Sequence, residues 1–122
     1  MKGNKVLVVD DEANLTRSMT FILRKEGYQV EVASNGEEAL TKALQVKPDV
    51  MLLDIMMPKK NGYEVCQEIR EDPDLRDIYI IMLTAKGQEV DREKGLEMGA
   101  DEFITKPFSP SQIVERVHAI LR

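Results

Sequence analysis

Short apolar segments alternate with longer amphipathic segments along the chain. Five apolar segments recur, and the first, third and fourth are nearly continuous Val, Leu, Ile and Met: 5–10, 29–34, 49–54, 78–84 and 102–106. Continuous apolar strands are typical of a parallel sheet that is covered on both faces. The pattern therefore predicts five strands with helices between them.

Helix signals fill the intervals between the apolar segments. Three helix starts carry a capping residue followed three positions later by Glu or Gln: Asn35 with Glu38, Asn61 with Glu64, and Ser109 with Gln112. The first helix is expected to stop before Gly27. The fourth, over 88–98, is predicted to be the weakest, because its apolar stripe is thin and Gly95 costs about 1 kcal/mol relative to Ala.

The regular alternation of strand and helix predicts an α/β fold with a parallel, doubly wound sheet and right-handed crossovers. The chain has 122 residues, which is the length of one domain. We therefore expect residues 1–122 to form a single domain.

Polar side chains stand where the predicted strands end. In a doubly wound sheet, ligands bind beyond the carboxyl ends of the strands. The residues at those ends are Asp10 and Asp11, Ser34, Asp54, Thr84 and Lys106. Three carboxylates, two hydroxyls and an ammonium group are therefore expected to converge at one edge of the sheet.

This set of groups predicts phosphoryl chemistry. Three neighbouring carboxylates repel one another unless they bind protons or a cation, and oxygen ligands favour Mg²⁺. An Asp can also act as a nucleophile that becomes an aspartyl phosphate. Asp54 is the predicted nucleophile because it ends the central strand, while Lys106 and Thr84 would bind phosphoryl oxygens.

Taken singly, each of these residues has a simpler structural role. The acids at 10–12 could cap the first helix and oppose its dipole. Asp54 could be an ordinary turn residue, and Thr84 could simply end a strand. Lys106 could be the last residue of a strand before Pro107. Their shared position, each at the same end of a different strand, favours a functional site.

Composition narrows the class of protein. Hydrophobic residues make up 43% and charged residues 32%, as in a globular domain. The balance of 17 basic and 22 acidic residues gives a net charge of −5, which argues against direct binding of nucleic acid. A single Cys and the lack of a long apolar run predict a cytoplasmic protein without a membrane segment.

The chain resembles the receiver domain of two-component response regulators over residues 5–121. The motifs that carry the resemblance are VLVVDD at 6–11, DIMMP at 54–58, NG at 61–62, TA at 84–85, and GAD at 99–101 leading to KPF at 106–108. The resemblance implies a flavodoxin-like (βα)5 fold with strand order 2-1-3-4-5. It also implies a cis peptide bond between Lys106 and Pro107.

The resemblance assigns roles to residues of this chain. Asp54 would accept a phosphoryl group from a phosphohistidine of a sensor histidine kinase or phosphotransfer protein. Asp11 would bind Mg²⁺ directly and Asp10 through water, with Asp54 and the main-chain carbonyl of Met56 as further ligands. These roles describe a domain that catalyses its own phosphorylation and slow dephosphorylation without being a turnover enzyme.

The resemblance also implies a conformational switch. Thr84 and Lys106 would hold the phosphoryl group, and Phe103 would fill the space that Thr84 leaves when it moves inward. The surface of helix 4, strand 5 and helix 5 would then change and control a downstream effector, with homodimerisation through that surface left open. Met56 and Lys86 would tune the phosphate lifetime.

Three other functions compete with this interpretation. A phosphohydrolase with an Asp nucleophile needs a second acid two residues later, where this chain has Met56. A flavin or nucleotide module needs a Gly- and hydroxyl-rich loop after the first strand, where acids stand instead. An inactive scaffold would lack part of the acceptor set, which is complete here.

Two single residues are expected to have structural roles only. Cys66 follows Val65 on the apolar side of a predicted helix and is expected in the core. His118 is the single His of the chain and is expected on the surface rather than in catalysis.

Overall fold

The computed structural model describes residues 3–85 and 89–122. Strands and helices alternate throughout: β1 (Lys5–Val9), α1 (Ala13–Lys25), β2 (Gln29–Ala33), α2 (Gly36–Val46), β3 (Val50–Asp54), α3 (Gly62–Glu71), β4 (Tyr79–Ala85), α4 (Glu89–Met98), β5 (Glu102–Lys106) and α5 (Pro110–Leu121). The strands match the predicted segments to within one residue at each end. Lys86 and Gln88, for which the sequence made predictions, lie outside the described residues.

The strands form one parallel sheet in the order β2-β1-β3-β4-β5. This confirms the predicted doubly wound α/β fold and its strand order. β3 lies at the centre of the sheet, and all five of its residues are buried. Asp54, the last residue of β3, therefore lies at the middle of the carboxyl edge of the sheet.

Successive residues of the inner strands pack on opposite faces of the sheet. One face carries Leu7 of β1, Met51 and Leu53 of β3, and Met82 of β4, packed with Val65, Cys66 and Ile69 of α3. The other face carries Val8, Leu52 and Ile81, packed with Met19 and Leu23 of α1 and Ile113 and Val117 of α5. Because both faces are covered, the central positions of these strands are apolar without alternation. Cys66 lies in the core, as predicted.

The predicted helix caps differ in how completely they form. At α3, the Asn61 side chain accepts from the Glu64 N–H at 3.0 Å while the Glu64 carboxylate accepts from the Asn61 N–H at 3.0 Å. At α2, Asn35 accepts from the Glu38 N–H at 2.9 Å, but the Glu38 carboxylate accepts from the Ser34 N–H at 2.5 Å. Only half of the second capping box forms, because Ser34 provides the donor instead.

His118 lies partly at the surface, with 28% of its side chain exposed. Its Nδ1 shares a hydrogen bond with the Tyr28 hydroxyl, and its Nε2 lies 3.1 Å from Glu26 Oε1. This acid lies at the C-terminal end of α1. His118 thus connects α5 to the segment between α1 and β2.

No helix in the described part of the chain combines the length and apolar character that a membrane crossing requires.

Candidate functional site

Four polar residues meet at the carboxyl ends of neighbouring strands. Asp10 directly follows β1, Asp54 ends β3, Thr84 is the last residue but one of β4, and Lys106 ends β5. The exposed fraction is 1% for Asp10, 7% for Asp54 and 5% for Thr84. Groups this buried need partners, since isolated buried charge is unfavourable.

The carboxylates of Asp10, Asp11 and Asp54 form a cluster. One oxygen from each lies within 4.8 Å of the others. Asp10 and Asp54 are buried, whereas Asp11 is exposed at the rim. The sequence predicted this convergence, and the parallel pairing of β1 with β3 produces it.

Lys106 connects the two buried carboxylates. Its Nζ donates to Asp10 Oδ2 at 3.0 Å and to Asp54 Oδ1 at 3.4 Å. The other oxygen of Asp10 accepts from the Glu12 N–H at 2.9 Å. Burial lowers the pKa of Lys106, but the hydrogen bonds and charges of the two carboxylates outweigh burial and raise it. Lys106 is therefore a fixed positive charge at this edge of the sheet.

The environment of Asp54 disfavours its negative charge. Burial, and next the neighbouring Asp10 carboxylate, raise the pKa of Asp54 to about 6, against the opposing effect of the Lys106 ammonium group. One ammonium group thus only partly balances three carboxylates. The donor set contains hard oxygen ligands alone, and this composition fits Mg²⁺.

The loop between β3 and α3 is folded tightly beneath Asp54. The Gly62 N–H donates to the Ile55 carbonyl at 2.8 Å. A Cβ atom at Gly62 would lie 2.5 Å from the Asp54 carbonyl oxygen, so only glycine permits this approach. The sequence motif at 61–62 includes Gly62 but did not predict this close approach, although an Asn-Gly pair is a signal for a tight turn. Met56 lies in the same loop, and 68% of it is exposed.

The two predicted switch residues lie on adjacent strands. Thr84 is in register with Thr105, the residue before Lys106. Phe103 is in register with Met82 and is half-buried against the core next to α3. The Lys106–Pro107 peptide bond is cis, as predicted.

Ser34 does not belong to this group, although it also follows a strand. β2 is one of the two edge strands of the sheet, and the Ser34 N–H and hydroxyl both donate to the Glu38 carboxylate at the start of α2. The site is therefore formed by the other four strand ends.

Comparisons with known proteins agree with this geometry. A sequence model of the response regulator receiver domain matches residues 6–118. ResD, a transcriptional regulatory protein of Bacillus subtilis (strain 168), is 50% identical over 118 residues, which are 97% of this chain and 48% of ResD. PhoP of the same organism, an alkaline phosphatase synthesis transcriptional regulatory protein, is 50% identical over 120 residues, or 98% of this chain and 49% of PhoP. The chain thus spans about half the length of these relatives.

A solved structure shows the same fold. The chemotaxis response regulator CheY4 of Vibrio cholerae has a TM-score of 0.89 and 32% identity, covering 96% of this chain and 98% of CheY4. Fold, strand order and sequence match thus agree. The chain belongs to the receiver-domain family of two-component response regulators, whose members act in phosphorylation-dependent signal transduction.

Proposed function

We propose that residues 1–122 form one receiver domain that accepts a phosphoryl group on Asp54 from a sensor histidine kinase or a phosphotransfer protein. The observation that carries this proposal is the position of the Asp54 carboxylate, which lies beside Asp10 and Asp11 and 3.4 Å from Lys106 Nζ. This arrangement supplies a nucleophile, a set of oxygen ligands and a fixed positive charge at one point. Phosphoryl transfer needs those three parts and little other chemistry.

The transfer is a displacement at phosphorus. An oxygen of Asp54 forms the new bond while the phosphorus–nitrogen bond of the donor phosphohistidine breaks, and the imidazole leaves with its electron pair. Lys106 offsets charge on the phosphoryl oxygens, and the Thr84 hydroxyl donates a hydrogen bond to one of them. Asp10, Asp11, Asp54 and the Met56 carbonyl would hold Mg²⁺, which neutralises carboxylate and phosphoryl charge when bound.

The proposed signal is a change in the surface formed by α4, β5 and α5. Movement of Thr84 toward the phosphoryl group opens space beside it, and Phe103 fills that space. The half-buried position of Phe103 on β5, next to the strand of Thr84, supports this coupling. Because the domain returns to its starting state only by slow self-dephosphorylation, it acts as a switch and not as a turnover enzyme.

We also propose that the changed surface controls a downstream effector, with homodimerisation as one route. Since ResD and PhoP are named as transcriptional regulators, the proposed output is control of transcription. The effector polypeptide would contact nucleic acid, whereas this domain, with a net charge of −5, would not. The domain would act in the cytoplasm without a membrane contact, where its kinase is phosphorylated.

Intact-mass measurement tests the proposal. Incubation with Mg²⁺ and acetyl phosphate should add a single phosphoryl group to the wild-type chain and to Asp74→Asn, an exposed control outside the site. Asp54→Asn should gain none. Continuous phosphate release from small esters would instead show a phosphohydrolase, and the lack of any adduct on the wild-type chain would show an inactive scaffold.

A further inference from the structure

The ring of Phe103 lies directly against the backbone of α4. A Cβ atom at Gly95 would lie 2.4 Å from Phe103 Cζ and 2.9 Å from Cε2, distances at which real Cβ atoms are essentially never found. Gly95 is buried, while Lys94, Leu96 and Glu97 beside it are exposed. The ring therefore occupies the space that any other residue at position 95 would fill.

Steric space, and not backbone conformation, requires glycine at this position. The two glycines with positive φ among the described residues are Gly27 at +95° and Gly99 at +109°. Gly95 is not one of them and lies inside a helix, where Ala is the better helix former. The contact with the Phe103 ring is thus the feature of the structure that explains Gly95.

The backbone at Gly95 is held in place by the turn that ends α4. The Gly95 carbonyl accepts from the Ala100 N–H at 2.9 Å, and the Leu96 carbonyl accepts from the Gly99 N–H at 3.1 Å. The clash that a Cβ atom at residue 95 would cause is therefore relieved most easily by movement of the Phe103 ring, since the end of the helix is fixed. Side-chain rotation costs less than breaking these backbone hydrogen bonds.

We infer that Gly95 is a positioning residue that sets the balance of the Phe103 switch. The backbone of α4 at Gly95, which carries no side chain, is called the ring seat. The inference rests on the proposed function, in which Phe103 exchanges between two positions, one on the ring seat and one in the space beside Thr84. A ligand that favours the second position must draw the ring away from the ring seat. A Cβ atom at residue 95 destabilises the ring on the ring seat, so the ligand binds more tightly.

Two readouts test the ring seat. Phe residues are few, with three in the chain, so ring-¹³C-labelled Phe gives separable NMR signals that Phe→Leu variants assign. Gly95→Ala should shift the Phe103 ring signals before any ligand is added. It should also raise the affinity of the Mg²⁺-loaded protein for beryllofluoride, a tetrahedral phosphoryl analogue, about five-fold.

Matched variants separate the ring contact from helix propensity. Glu97→Ala also improves the helix but lies at an exposed position, so its affinity for beryllofluoride should stay at the wild-type value. In a Phe103→Leu background, which lacks Cζ and Cε, Gly95→Ala should no longer change the affinity. This double-mutant cycle isolates the pair.

The outcomes separate the two proposals. Binding of beryllofluoride to the wild-type chain with equal or weaker binding to Gly95→Ala, or an equal gain in the Phe103→Leu background, would overturn the ring seat alone. A wild-type chain that does not bind beryllofluoride would overturn the proposed function, and the switch role of Gly95 with it. If Gly95→Ala does not fold, folding of Gly95→Ala/Phe103→Leu supports the contact, and unfolding of both variants refutes it.

Discussion

Asp54 is placed where its charge is unfavourable. Burial and the Asp10 carboxylate raise its pKa to about 6, and the Lys106 ammonium group offsets only part of that effect. Titratable groups with such shifts cluster at functional sites, because function fixes them in unfavourable surroundings. The chemistry of the site therefore follows from a few side-chain positions at the end of β3.

Met56 offers a test of how the side chain beside the acceptor sets the phosphate lifetime. Its thioether is exposed and cannot orient an attacking water, whereas an amide can. One additional hydrogen bond of about 1 kcal/mol in the transition state gives about five-fold faster hydrolysis in Met56→Asn. Intact-mass measurements after removal of acetyl phosphate give the rate. Met56→Leu is the matched control, and an Asn variant no faster than Leu would contradict the prediction.

Cys66 should make the stability depend on alkaline pH. Burial raises the pKa of its thiol from 9.0 to about 11. The thiol loses its proton more readily in the unfolded chain than in the folded one. The stability of the folded state that depends on the protonated thiol is therefore complete below pH 9 and is lost as pH rises through about 11. The unfolding free energy of the wild-type chain should fall roughly 2 kcal/mol further over this range than that of Cys66→Ala. Parallel curves from urea unfolding would refute the assignment.

Arg70 in the last turn of α3 joins three segments of the chain. Its guanidinium donates to the carbonyls of Gly99 at 2.8 Å and of Arg76 and Ile78 at 2.7 Å each. It also pairs with Asp101 at 2.6 Å. The segment before β4 and the turn between α4 and β5 are thereby fixed to α3, and this turn directly precedes the strand of Phe103.

Loss of the Arg70 guanidinium should lower the free energy of unfolding more than loss of the exposed Arg76 guanidinium. Arg70→Met leaves half-buried carbonyls without their donor, so the unfolding free energy should fall by about 2 kcal/mol. Arg76→Met, at an exposed position, should change it by less than about 0.5 kcal/mol. Urea unfolding of both variants gives the comparison. Equal losses would show that the hydrogen bonds of Arg70 are unimportant.

The parallel sheet places three carboxylates at one edge, and a divalent cation bound there should stabilise the fold. A ligand that binds only the folded state at 100 times its dissociation constant adds about 2.7 kcal/mol. Mg²⁺ should therefore raise the melting temperature of the wild-type chain and of Asp74→Asn, and chelation should reverse the change. Asp11→Asn should show a smaller rise, measured by thermal denaturation. An equal rise in Asp11→Asn would place the bound ion elsewhere.

The fold and most of the site could be predicted because the signals are local. Strands buried on both faces are continuously apolar, as over the first four residues of β3, and helices repeat every 3.6 residues. Asp10, Asp54, Thr84 and Lys106 could be read as a group because parallel strands share one carboxyl edge. The family motifs contain these same residues. The strand bounds came from these local patterns, whereas the strand order and the cis bond before Pro107 were implied by the family resemblance.

Contacts between residues far apart in the sequence depend on the tertiary structure and could not be predicted from local patterns. Lys106 reaches Asp10 across 96 positions and Asp54 across 52, and no local pattern encodes which oxygen it binds. The position of Ser34 after a strand predicted a site residue, but its N–H and hydroxyl both donate to the Glu38 carboxylate. The reason is physical: periodicity records which side of an element is buried, whereas a partner across the sheet depends on strand order and packing.

Gly95 shows this difference most clearly. In the sequence it was a weakness of the fourth helix, since Gly lowers helix propensity. In the structure it gives the Phe103 ring its place against α4, because no Cβ atom fits between them. The amino-acid pattern specified the elements and the reactive groups through local rules, whereas close approach between α4 and β5 arose only from three-dimensional packing.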